Sequence, residues 1–112
     1  MDSTHVFGHG DYEHQNFKSV VDKSKLKEKL HELEDICIRH HGGFFLRQTN
    51  YNGYSEMAVY LVGNVLVSNT ISPDGKVEAN LMYQHGQPNK PLLADLKKSI
   101  TGEEHGDLVN VT

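Results

Sequence analysis

Between Asp22 and His41 apolar side chains fall at Leu26, Leu30, Leu33, Ile36 and Cys37, a helical recurrence that predicts one helix over 22–41 with a single buried face. Gly42 closes it, Asp22 or Ser24 supplies a start cap, and Arg39, His40 and His41 put basic groups in the last turn, where they complement the macrodipole. Lys23, Lys25, Lys27 and Lys29 oppose that dipole near the start and are offset locally by Glu28 and Glu32.

From Gly43 to Gln84 the pattern changes to short runs rich in β-branched and aromatic residues, divided by Asn52-Gly53, Gly63-Asn64 and Ser72-Pro73-Asp74-Gly75. These turn signals predict four strands at about 43–51, 54–62, 65–71 and 76–84, joined as an antiparallel meander. Tight hairpins fix register, so Tyr51 should oppose Tyr54 and Val62 should oppose Val65. A four-residue third turn would set Ile71 against Lys76.

With that register, one face carries Phe44, Leu46, Met57, Val59, Leu61, Leu66, Val77, Ala79, Leu81 and Tyr83 and is expected to receive the helix. The other carries Phe45, Tyr60, Val62, Val65, Val67 and Met82 at one end, with Arg47, Thr49, Glu56, Asn69, Glu78 and Asn80 towards the other. A second helix is expected at about 91–100, with Pro91 near its start and Leu92, Leu93, Leu96 and Ile100 on one side. Thr4-His5-Val6-Phe7 has the make-up of an N-terminal strand within a loosely ordered segment 1–20, and 102–112 reads as a flexible tail. The resulting fold class is α+β in a single domain, 1–112. Its order, β-α-β-β-β-β-α, is similar to the helix-on-sheet arrangement of cystatin-like and TATA-binding-protein-like domains, a likeness of element order that implies nothing about activity.

Composition narrows the function classes. A chain of 112 residues, 37% hydrophobic and 23% charged, has the make-up of an ordinary globular domain. The net charge of -4 is mild and the basic residues are dispersed, so nucleic acid is an unlikely partner by charge. The longest apolar stretch, Met57 to Val62, is far too short to span a membrane, and the N-terminus lacks the layout of a signal peptide. A lone Cys37, expected to be an inert buried thiol, agrees with a reducing compartment, and the expected location is cytoplasmic.

Eight histidines raise the question of a metal. His5, His9 and His14 lie close in sequence beside Asp11 and Glu13, a donor set that suits zinc or nickel, though their spacing matches no established metal signature. No phosphate-binding glycine loop, nucleophile elbow or zincin helix is present. An enzyme or small-ligand binder would instead need a pocket between helix and sheet, with His31, Glu32, Tyr60 or Glu56 as acid or base. The preferred expectation is a non-enzymatic protein-binding module with no cofactor, an inhibitor of the kind viruses and mobile elements make or an adaptor acting on a larger assembly. It would bind a partner protein, or a second copy as a homodimer, through a sheet face with Phe45, Arg47, Glu56, Tyr60, Val67 and Met82 in contact.

Overall fold

A computed structural model describes residues 11–102. The order is β1 (Tyr12–Val20), a 3-10 turn at Lys23–Lys25, α1 (Leu26–Arg39), β2 (Gly43–Asn50), β3 (Ser55–Val62), β4 (Val65–Ile71), β5 (Lys76–Gln84) and α2 (Lys90–Thr101). The fold is α+β: one five-stranded antiparallel sheet, ordered β1-β5-β4-β3-β2, with both helices on one face. Thr4–Phe7 and the tail beyond Gly102 lie outside the described residues. The N-terminal strand of the described chain is Tyr12–Val20, in a stretch the sequence reads as loosely ordered, and it pairs with β5 along its full length. Its apolar signal is faint because Phe17 is its one large buried apolar residue, flanked on the same face by Gln15 and Ser19.

Each helix is bounded by local chemistry. Asp22 Oδ1 accepts from the Ser24 backbone N–H at 3.1 Å, which fixes the 3-10 turn, so α1 proper begins at Leu26 and not at 22. At its other end His41 takes φ 66°, and the Gly42 N–H donates to the Cys37 carbonyl at 2.8 Å. A Cβ on Gly42 would come within 2.7 Å of that carbonyl and of Val62 Cγ2, so glycine is needed there for close approach. Asn89 caps α2 through Leu92 N–H at 3.2 Å, and Gly102 ends it at φ 78°.

Pairing through the first two hairpins follows the sequence as far as Leu46↔Val59, and Val62 opposes Val65. The third turn departs by one residue. Ile71 opposes Val77, not Lys76, because Ser72 N–H donates to the Lys76 carbonyl at 3.0 Å and Gly75 sits at φ 94°. One residue of slip exchanges the faces of a strand. Val77, Ala79, Leu81 and Tyr83 therefore share a face with Ala58, Tyr60, Val62, Val65, Val67 and Ile71, and this combined face lies under the helices as the core. Leu26, Leu30, Leu33, Ile36 and Cys37 of α1 and Leu92, Leu93, Leu96 and Ile100 of α2 complete it. The face expected to receive the helix is thus corrected for β3 and β4: Met57, Leu61 and Leu66 are on the open side, and Tyr60, Val62, Val65 and Val67 are buried.

α1 lies over β3 to β5 and α2 over β1 and β5, so β2 projects past the helix layer. The chain is also bulged there. The register shifts between Phe44 and Leu46, leaving Phe45 as the extra residue and setting Phe44 against Tyr60.

Candidate interaction surface

The residues singled out in sequence separate into three places. Val67 is fully buried in the core, which removes it from any partner surface; its expected exposure followed from the inverted face of β4. Tyr60 is likewise fully buried against the helix side, so it cannot be a surface anchor. Arg47 and Glu56 join Tyr60 in one polar network. Phe45 and Met82 lie outside the core, and between them runs the open face of the sheet.

The network forms where β2 passes beyond α1. Arg47 Nη2 donates to Glu34 Oε2 at 2.8 Å, and its Nε lies 3.3 Å from Glu56 Oε2. The Tyr60 hydroxyl also donates to Glu34, and the Tyr54 hydroxyl donates to Glu56. Burial, then the bond to Glu34 and that carboxylate's charge, push the Tyr60 phenol above its ordinary pKa. The bond to Glu56, more than desolvation, raises Tyr54 to about 12. His31 Nδ1 lies 3.6 Å from Glu34, and Lys27 sits 4.8 Å above the Tyr54 ring.

Lys27, His31, Glu34, Arg47, Tyr54 and Glu56 line a cleft of about 200 Å³ between helix and sheet, the place an enzyme or small-ligand site would occupy. Two features weigh against that use. Its volume falls below the ~300 Å³ at which small-molecule pockets usually begin. Both carboxylates, the guanidinium and both phenols are already engaged with one another, so the network reads as a tie between α1 and the projecting strands. Glu32, another acid–base candidate, faces elsewhere and accepts from Lys29 at 3.3 Å and Ser99 at 2.9 Å. At the end of α1, His40 Nε2 contacts Asp95 at 2.7 Å and so binds the two helices together.

The metal expectation falls partly outside the described residues, since His5 and His9 do. His14 is exposed on the open face of β1, paired across the ladder with Met82. No group of three or more potential ligands comes together among the described residues.

The open face divides in two. Register places Leu61 beside Leu66 and Leu66 beside Met82, and next to this row Leu46 beside Val59. With Met57 they make an apolar corner at the β2–β3 side, where Leu61 is 50% exposed, next to the bulged Phe45, which is 65% exposed. Towards β1 the same face turns polar: Asn16 Nδ2 donates to Asn80 at 2.6 Å and Glu78 at 2.7 Å, with Ser68, Thr70 and Lys18 nearby in register. Both helices pack on the opposite face. Sequence reasoning missed Leu46, Leu61 and Leu66 as surface residues because the shifted third turn assigned them to the core. Glu34 was missed because a charged residue one turn from Leu30 on an amphipathic helix carries no signal of its partner.

No protein-family model matches the chain, and a search of curated proteins finds no match. No helix among the described residues is long and apolar enough to cross a membrane.

Proposed function

We propose that the protein is a protein-binding module, an inhibitor or adaptor, whose docking surface is the apolar corner of the open sheet face: Phe45, Leu46, Leu61, Leu66 and Met82. The observation that carries this reading is the asymmetry of that face, apolar and solvent-facing at one corner while its other half is closed by its own hydrogen bonds. An apolar patch rimmed by polar groups is the usual anatomy of a protein interface core. Arg47 and Glu56 lie on the opposite, helix-side face, held by Glu34 and each other, and take no part in this surface.

Affinity capture with the whole chain tests the reading. Leu61→Asp should abolish capture of any specific partner, whereas Ile38→Asp, an equally exposed change on the outer side of α1, should leave it intact. Equal capture by both variants would place the docking surface elsewhere.

A further inference from the structure

We propose that Asn52 is a site of spontaneous covalent modification, at which the backbone nitrogen of Gly53 displaces the Asn52 side-chain amide and the residue becomes aspartate or isoaspartate. The site is the tip of the β2–β3 hairpin, at the opposite end of those strands from Leu61, so it is independent of the docking role of the open face.

The reaction uses neighbouring groups and water alone. The Gly53 nitrogen, having lost its proton, bonds to Asn52 Cγ; the Cγ–Nδ2 bond breaks, and ammonia leaves as a succinimide ring closes. Water then opens the ring. Attack at Cγ restores the main chain as aspartate, whereas attack at the backbone carbonyl routes the main chain through the side chain as isoaspartate. Either product carries one more negative charge than the parent chain, whose net charge is -4. Ring closure has three requirements: a following residue with no side chain to block the nitrogen, a backbone N–H that no acceptor holds, and an asparagine side chain able to swing onto it.

Asn52 meets all three. Tyr51, Asn52 and Gly53 are exposed in the loop between the paired Asn50 and Ser55. Gly53 holds φ 87°, and a Cβ there would meet only Pro73 Cγ, at 3.5 Å. Neither the Gly53 N–H nor the Asn52 side chain makes a hydrogen bond among the described residues. The Asn52 backbone N–H, by contrast, donates to Asn50 Oδ1 at 3.0 Å, which anchors the main chain of the residue and leaves its side chain unheld.

Elsewhere in the described chain the same chemistry is blocked. Asp74-Gly75 is the matching pair in the third turn, where an aspartate could close the same ring by loss of water. There Gly75 is buried, its N–H donates to the Ser72 carbonyl at 3.0 Å, and Asp74 Oδ1 accepts from the Lys76 N–H at 3.2 Å. Asn64 precedes the buried, β-branched Val65 and donates through Nδ2 to the Gln87 carbonyl at 3.3 Å. Asn89 is held at the start of α2 by the Leu92 N–H. Both glycine-following residues read alike as turn signals, and the hydrogen bonds of the folded chain separate them.

The test compares the whole chain folded, with circular dichroism confirming the fold, and unfolded in guanidinium chloride, both at neutral pH and body temperature. Samples taken over days are digested and mapped by mass spectrometry, with fragmentation that separates aspartate from isoaspartate. Asn52 in the folded chain should gain about 1 Da. Its rate should lie within about threefold of the unfolded chain, because reaction there needs no opening of the structure. Asp74 should isomerise at least about tenfold more slowly folded than unfolded, since it reacts only when its turn opens. The Asn52 rate should also climb with pH, as attack by a deprotonated nitrogen requires. Asn52 that survives in the folded chain while reacting in denaturant, Asp74 that reacts as fast folded as unfolded, or aspartate formed with no isoaspartate would overturn the proposal.

Discussion

Tyr60 and Phe45 are both aromatic residues of the β2–β3 hairpin, yet truncating them should have opposite consequences. Tyr60 is fully buried, its ring meets Phe44 at 5.8 Å edge-on, and its hydroxyl donates to Glu34. Tyr60→Ala removes that ring from a packed interior and deletes one partner of a half-buried network, for a loss of about 3–5 kcal/mol. Tyr60→Phe removes the hydroxyl alone and leaves Glu34 paired with Arg47, so it should cost about 1 kcal/mol. Phe45 sits at the bulge, and Phe45→Ala should change stability by no more than about 0.5 kcal/mol. Urea unfolding followed by far-ultraviolet circular dichroism reads all three. With a slope of about 1.5 kcal/mol per molar urea, Tyr60→Ala should lower the midpoint by roughly 2–3 M. Protein concentration should be held at about 1 μM, so that self-association adds nothing to the apparent stability. Equal midpoints for Tyr60→Ala and Phe45→Ala would refute the assignment of faces on β3.

Three further outcomes follow from buried or strained positions. Burial pushes the Cys37 thiol up to about 11 from its ordinary 9.0, so the folded state favours the protonated form. The stabilisation this reflects is complete below pH 9 and lost as pH rises through 11; wild type should therefore lose roughly 2–3 kcal/mol relative to Cys37→Ala between pH 8 and 12, and parallel curves would contradict it. Asn69 is fully buried with its Oδ1 unpaired and its Nδ2 only 3.8 Å from the Cys37 sulfur, so Asn69→Val should raise thermal stability by about 1 kcal/mol. A lowered melting temperature would show that the amide makes a contribution its contacts do not reveal. Gly75 holds φ 94°, and a Cβ there would lie 2.5 Å from the Val21 carbonyl; Gly75→Ala should cost more than about 1 kcal/mol, while Gly43→Ala, with nothing within 4 Å, should be close to neutral.

Much of the fold is legible in the sequence because hairpin turns and helix caps are local. Gly63-Asn64 fixes Val62 opposite Val65, and Pro91 and the leucines after it mark α2. The third hairpin is less so, since Ser72-Pro73-Asp74-Gly75 suits two loop lengths and the Lys76 carbonyl decides between them. That single residue of slip matters because β3 and β4 are apolar on both faces. Met57, Val59, Leu61 and Leu66 look as much like a core face as Tyr60, Val62, Val65 and Val67 do, so periodicity identifies the strands without identifying the buried side. β1 was hidden for the opposite reason: its inward residues include Gln15 and Ser19, whose place in the sheet depends on pairing with β5 about 60 positions away. The candidate surface was legible in kind, an apolar sheet face with Phe45 and Met82 at its limits, but the residues between them were exchanged for their neighbours.

The claim on which the functional account depends is that Leu61, Leu66 and Met82 face solution while Val62, Val67 and Leu81 lie beneath the helices. Methyl NMR with a soluble gadolinium chelate measures this directly. Strong relaxation of the Leu61, Leu66 and Met82 methyls, with Val62, Val67 and Leu81 protected, is the predicted result. Protection of the first three with relaxation of the second three would contradict the account.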